Sequence, residues 1–454
     1  MNLIRIESSF KDPLAQVFME EQTGEYYRVF KGEAAGDFLL FLHSDLYNEV
    51  KGFFPEFEIV RTTGESILIK VQKIEFFSYY FEWSFEMVKD SALFYLKIQT
   101  ALIKKGFILV DATPLNITFL NSGKMIYFDL GSIRKYNPKT GWSGFKQFIE
   151  SFLYPLYILS NPKISAGLVQ NFINRDIPGE LFNLIPLRLW FRPSFWFIVK
   201  LHRKIHSNKK INESHLDISA KKTSMTFMFF ESLVSGIRKS INNSRWSEYN
   251  SNHILTKEYA GKKIEIISSF LSKCDKTGSL IIDWGANQGI YSELASCCFP
   301  QCTVLSIDSD NDTVNALYKR LKKTKNNIIT LFLNITNLTP SMGWMNKEYK
   351  GFKDRYGCSA FLQMGLALVH HLQHRLNLSY AEIASFFDYY SKEKGFLIIE
   401  FISEDDPKHQ LIRNPNYPYE ISESVFVESF EKHFQIILEE KPCPTRTIYL
   451  MRKF

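Results

Sequence analysis

Hydrophobic spacing along the chain changes character three times. Within residues 1–75, short segments such as EYYRVFK and SILIKVQKI alternate apolar and polar positions, and AAGDFLLFLHSDLYNEVKGFF between them has helical spacing. That pattern predicts a small α+β region. From Phe81 the period lengthens. WSFEMVKDSALFYLKIQTALIKKG carries apolar residues three and four apart and closes at Gly106, so residues 76–206 are expected to be mainly helical. Residues 207–252, with KKINESH and INNSRWSEYNSN, are polar and mixed and are expected to be a linker. Beyond them, strand patterns recur at SLIIDWG, TVLSID, NIITLFLNI, AFLQMGLA, GFLIIEFI, QIILEEK and TIYLMRK, most of them separated by helical patterns. This order predicts an α/β domain over 253–454, with a mostly parallel seven-stranded sheet covered by helices and closed by an antiparallel hairpin.

At 454 residues the chain exceeds what one core accommodates, which supports two domains. A 45% apolar and 23% charged composition excludes wholesale disorder. The net charge of +7 is mild for this length, so no nucleic-acid partner is expected, and the basic runs at 200–210 and 319–325 are read as solvated faces. The opening MNLIRIESSFKDP lacks a signal-peptide core. Six cysteines without paired CxxC spacing are read as reduced thiols, with 297, 298 and 302 buried on a helix, and the expected compartment is cytoplasmic. Residues 181–210 join aromatic residues to a basic tail, but Arg188, Arg192 and Pro193 interrupt any membrane span. Two readings stay open there: peripheral contact with an anionic membrane, or a helix packed between domains.

The chemistry concentrates in two places. In IIDWGANQGIYSELAS, a strand ends at Asp283 and passes through Gly285, Asn287 and Gly289 into a helix, giving a close-approach turn with free N–H groups at the helix start. The next strand ends at Asp308, twenty-five residues on, where a carboxylate can accept hydrogen bonds from ribose hydroxyls. A GxGxxG dinucleotide turn would need glycine at Ile290. The spacing fits the DxGxGxG pattern of S-adenosyl-L-methionine enzymes better, with Asn287 in place of its middle glycine.

NITNLTPSMGWMNKEY, FLQMGLALVHHLQHRLNLSYAEIASFF, LIIEFISEDDP and TIYLM resemble class I methyltransferases of the nodulation protein NoeA type, and FSYYFEWSFEMVKDSAL with DATPLN extends the likeness to nearly the whole chain. The resemblance implies a Rossmann-like methyltransferase domain. It also implies a donor site of Asp283, Gly285, Asn287, Gly289 and Asp308, with Asn334 near the adenine, and a glycan, glycolipid or related small-molecule acceptor. Asn334 reads equally as a turn residue. His370 or His371 could take an acceptor proton, cap a helix, or ligate a metal together with Glu400. Trp344 is either a wall of the acceptor pocket or a core residue.

The second place is DATPLNITFLNSGKMIYFDLGS, residues 111–132. Asp111, Asn116 and Asp129 carry the spacing of a kinase catalytic loop and its metal-binding aspartate, so the region resembles protein kinases and antibiotic phosphotransferases and implies ATP and Mg²⁺. No glycine-rich loop precedes it, and Arg28, Lys31 and Lys70 compete as the phosphate-pairing cation. Residues 1–75 would then be the small lobe and 76–206 the larger one. An active kinase, a degenerate module that binds nucleotide or acceptor, and a plain capped turn all stay open. The whole reads as a methyltransferase with a kinase-like module. The alternatives are a bifunctional kinase/methyltransferase and a non-catalytic cofactor-binding scaffold.

Overall fold

The computed structural model describes residues 2–164, 168, 184–207, 218–239, 257–275 and 278–454, with backbone alone at 201–207 and 257. The chain forms two compact units, built mainly from residues 1–241 and 242–454.

The first unit opens with strands β1 (Leu3–Arg5), β2 (Ala15–Glu20), β3 (Tyr26–Lys31), β4 (Phe57–Thr62) and β5 (Ser66–Val71), paired antiparallel in the order β1-β2-β3-β5-β4. Alternation in β5 turns Ile67 and Ile69 inward. The helix Gly32–Leu42 lays Phe38 on Phe30 with ring centroids 4.3 Å apart. After the helix Phe85–Ile103 come four three-residue strands, β6 (Phe107–Leu109), β7 (Ile117–Phe119), β8 (Met125–Tyr127) and β9 (Ile133–Lys135). They pair β6 with β9 and β7 with β8, so a small hairpin separates Asn116 from Asp129, as the spacing predicts.

The middle of the expected linker is not a linker. A helix, Ala220–Ser235, starts on a Ser219 side-chain cap and buries Thr223, Phe227, Phe230 and Val234. Phe227 and Phe230 lie against Trp142, with ring centroids 4.9 and 5.8 Å apart. The polar flanks KKINESH and INNSRWSEYNSN concealed it, although half of the sixteen residues in the helix are apolar; residues 208–217 and 240–252 of that stretch lie outside the described residues. In 181–210 the described part holds two helices, Leu187–Trp190 and Pro193–Ser207. Among the described residues no helix is long and apolar enough to cross a membrane.

The second unit is an α/β sheet of β10 (Leu280–Trp284), β11 (Thr303–Asp308), β12 (Ile328–Phe332), β13 (Ala360–Gly365), β14 (Ser391–Ile402), β15 (Phe434–Cys443) and β16 (Arg446–Lys453). Their order is β12-β11-β10-β13-β14-β16-β15. The sheet is mixed: β10 to β14 pair in parallel, and β16 runs antiparallel to both its neighbours. This is a Rossmann-like winding, in which the chain moves outward from β10 in one direction and then in the other. Helices cover both faces. On one, Ile267 and Phe270 from the helix Lys257–Lys273 share a core with Ile281; on the other, Trp284 meets Phe352, Phe386 and Tyr390. The helix Ile290–Cys298 ends before Cys302, and Cys297 is exposed, so the three cysteines are not one buried helical set.

If the helix Ala220–Ser235 is part of the first unit's core, Phe230→Ala should lower unfolding stability by about 3–5 kcal/mol. Urea titration followed by circular dichroism checks this; a change within about 0.5 kcal/mol would be that of a solvated connector.

Candidate functional site

A cavity of about 700 Å³ opens in the second unit, lined by Asp283, Gly285, Asn287, Asp308, Leu333 and Asn334 among others. It adjoins β10 and β11 and the segment after β13, next to the point where strand order reverses, which is where open α/β sheets take ligands. The turn after β10 has left-handed backbone at Gly285 (φ 71°), Asn287 (φ 48°) and Gly289 (φ 75°). Asparagine tolerates that conformation better than other side-chain-bearing residues, which explains its place in a glycine pattern.

Asp308 holds this turn. Its Oδ2 accepts the Asn287 N–H at 2.8 Å and its Oδ1 accepts the Asp310 N–H at 2.8 Å. Burial raises its pKa, while those backbone donors oppose the rise. Each carboxylate oxygen has a further lone pair, so two hydroxyl donors can still be served. Asp283 is 2% exposed and accepts the Ser292 hydroxyl at 2.6 Å; burial pushes its carboxyl up to about 7. Asn287 Oδ1 is buried without a hydrogen-bond partner, a costly state unless a ligand supplies a donor. Asn334 is exposed and its Oδ1 accepts the N–H and hydroxyl of Thr336 at 3.0 and 2.9 Å, so the turn role is present at this position.

The opposite wall stands on a buried charge network. Glu400, at 0% exposure on β14, accepts from Lys263 Nζ at 2.6 Å, from the Tyr259 hydroxyl at 2.9 Å and from the Ala367 N–H at 2.7 Å. Arg446 on β16 donates in bidentate fashion to Asp406 at 2.8 and 2.9 Å and to Tyr259 at 3.0 Å. Burial acts to raise Glu400, but Lys263 and Arg446 overcome it and hold the carboxyl low; burial drags Lys263 down against the pull of Glu400. Ala367 is itself left-handed, at φ 51°. That strained residue follows β13 and precedes the helix Val369–Leu376, which carries the histidines.

Of the two predicted histidines, His371 lines the cavity and His370 does not; His370 is 2% exposed, with its ring beside those of His371 and His409. Burial lowers His371 to about 4 and His370 well below its ordinary value, so both are neutral near pH 7. Two further histidines complete the cluster. His409 Nδ1 faces the Ile402 and Ser403 carbonyls at 3.1 and 2.9 Å, His374 Nδ1 accepts the Asn414 N–H at 3.3 Å, and the two Nε2 atoms are 2.6 Å apart. One neutral assignment satisfies every contact: His409 donates from Nδ1 and accepts at Nε2 from His374. Glu400 is consumed by its network, and among the described residues no group of three or more His, Cys, Asp or Glu could hold a metal. Trp344 is 68% exposed and lies outside the cavity lining, matching neither expectation for it.

In the first unit, Asp111, Asn116 and Asp129 come together. Asn116 Nδ2 donates to Tyr127 Oη at 3.1 Å and reaches Asp129 Oδ2 at 3.4 Å, while Tyr127 donates to the Asp111 carbonyl at 2.9 Å. Burial, with Asp129 and Asp12 adding negative charge, pushes Asp111 up to about 6. Among the three candidate cations, Arg28 ion-pairs with Asp129, Lys70 pairs with Glu25 at 2.5 Å, and Lys31 is exposed.

Sequence reasoning missed Tyr259, Lys263, Lys408 and Arg446, which also line the cavity. The amphipathic run KEYAGKKIEIISSFLSK signals the helix, but the Lys263–Glu400 pair spans 137 residues, and no local pattern announces it.

No family model matches this chain. It is 27% identical over 476 aligned residues to the nodulation protein NoeA of Rhizobium meliloti (strain 1021), covering 99% of this chain and 96% of that protein. Among solved structures, the antibiotic-resistance methyltransferase Kmr is similar over 44% of this chain and 95% of its own, at 13% identity and TM-score 0.29. The bifunctional kinase-methyltransferase WbdD is similar over 48% of this chain and 45% of its own, at 16% identity and TM-score 0.30.

The neutral histidines make stability depend on acid. Their native pKa values lie below the ordinary 6.5, so the unfolded chain binds more protons and stability falls as pH drops from about 6.5 toward about 4. The raised carboxyls of Asp111, Asp283 and Asp308 act in the opposite sense over overlapping pH, so the histidine part is isolated by substitution. Urea midpoints of His370→Leu should rise relative to the parent chain between pH 7.5 and pH 5; a pH-independent difference would contradict the assignment.

Proposed function

We propose that the second unit is an S-adenosyl-L-methionine-dependent methyltransferase acting on a glycan, glycolipid or related small-molecule acceptor. The observation that carries this reading is the pairing of Asp308 with the buried, unpartnered Asn287 Oδ1 at one cavity wall, a hydrogen-bonding set that suits an adenosyl ligand. When bound, the donor supplies an electrophilic methyl group on a sulfonium. Asp308 accepts the ribose hydroxyls, Asn287 accepts a donor from the same ligand, and Leu333 and Asn334 flank the base. Asp283 meets the positively charged end, where ionisation of its raised carboxyl is favoured. His371, neutral near pH 7, takes the proton of an acceptor hydroxyl as it attacks, and Leu366 and Leu368 keep water away. The acceptor class rests on the NoeA-type resemblance.

Titration calorimetry with S-adenosylhomocysteine should show binding to the intact chain and at least about a tenfold loss in Asp308→Ala, equivalent to about 1.4 kcal/mol or more. With methyl-labelled donor and fractionated cell extract, His371→Ala should transfer label about a hundredfold more slowly while keeping that affinity. A chain that takes up neither donor nor product ends the proposal. Binding without label transfer to any fraction supports the scaffold reading instead.

A second reading concerns the first unit, and the Arg28–Asp129 pair favours a degenerate kinase-like module over an active one. Asp129 already spends its Oδ1 on Arg28 and on the Gly131 N–H at 3.2 Å, and Asp12 adds negative charge near Asp111. A triphosphate with Mg²⁺ would have to break that pair. The expected result is no Mg²⁺-dependent ATP turnover sensitive to Asp129→Ala; turnover lost in that variant would establish the bifunctional alternative.

A further inference from the structure

The first unit carries an apolar face that its own core does not use. The helix Ala220–Ser235 buries Thr223, Phe227, Phe230 and Val234, yet Met225, Met228 and Phe229 form a second stripe of exposed side chains at helical spacing. Phe197 meets Phe229 with ring centroids 5.9 Å apart, which joins this stripe to the helix Pro193–Ser207. Trp196 and Phe197 are exposed on that helix, and Phe191 and Leu187 just before it are 85% and 77% exposed. A soluble surface scatters such residues singly; here seven large ones gather, six on three successive described helices and Phe191 between the first two.

Charge says what the face meets. Residues 187–207 and 220–239 contain nine Lys and Arg against one acidic residue, Glu231. Their net excess surpasses the +7 of the entire chain, so the rest of the molecule is close to neutral. Arg188, Arg192, Lys200, Lys221 and Lys222 are exposed beside the apolar side chains. Aromatic and Met side chains with flanking cations are the composition that inserts shallowly among headgroups while drawing anionic lipid. Trp196 keeps its Nε1–H satisfied by the Trp190 carbonyl at 2.6 Å, so its ring can enter an apolar layer without an orphaned donor.

We propose that this face, formed by Leu187, Phe191, Trp196, Phe197, Met225, Met228 and Phe229, docks the protein peripherally on an anionic bilayer surface. It extends the contact that the 181–210 composition suggests to a second helix. The test is co-sedimentation of the full chain with vesicles of phosphatidylcholine alone and of phosphatidylcholine mixed with phosphatidylglycerol. The bound fraction should rise several-fold with the anionic lipid, fall as salt is raised, and disappear in Phe191→Ser/Phe197→Ser/Met228→Ser. Lys200→Glu/Lys222→Glu should remove the preference for anionic lipid. Unchanged far-ultraviolet circular dichroism shows that the variants fold. No binding to anionic vesicles, or binding that survives the triple substitution, overturns the proposal. A dimer in sedimentation velocity that the triple substitution dissolves, without vesicle binding, also overturns it and gives the face to a second copy of the chain.

Discussion

Glu400 is the interaction on which the candidate site depends. It is a buried carboxylate that joins three other pieces of chain to β14: the helix Lys257–Lys273 through Lys263 and Tyr259, the turn after β13 through the Ala367 N–H, and β16 through Arg446, whose other partner is Asp406. Such a group is expensive to bury, and removing one partner of a buried pair typically costs about 3–5 kcal/mol because the other charge is stranded. The network therefore defines shape more than it adds net stability. It pins the left-handed Ala367 and with it the start of the helix bearing His371, so the cavity wall opposite Asp308 is held together through charge.

Much of the second unit was legible in its sequence. All seven strands fall where alternating or continuous apolar runs place them, because each is bounded by a turn or a helical pattern, and all but the largely exposed edge strand β15 are buried along most of their length. The turn from Asp283 to Gly289 and the carboxylate of Asp308 were also legible, since backbone close approach needs glycine or asparagine at fixed offsets. The antiparallel insertion of β16 between β14 and β15 was not fully legible. Alternation signals a strand, and its neighbours are chosen by packing of the whole sheet. Asymmetry between His370 and His371 was hidden for a related reason: adjacent residues on a helix point about 100° apart, and only tertiary context says which direction is cavity.

In the first unit, the spacing of Asp111, Asn116 and Asp129 foretold the small hairpin between them. It could not say that Arg28, a hundred residues earlier, would settle on Asp129, because β3 reaches that place through sheet pairing rather than proximity in the chain. Composition misjudged the helix Ala220–Ser235 for a different reason. Its polar flanks resemble a connector, yet four inward positions suffice to anchor it on Trp142 and its aromatic neighbours.

The left-handed backbone at Asn287 limits what evolution can try there. Glycine, asparagine and aspartate are the residues that adopt this conformation at low cost. Aspartate would set a second negative charge beside Asp308, whose oxygen already grips the amide of residue 287. The practical alphabet at this position shrinks to two letters, one without a side chain and one with an amide. Stereochemistry alone thereby holds this turn to two residue types, whatever the cavity beside it binds.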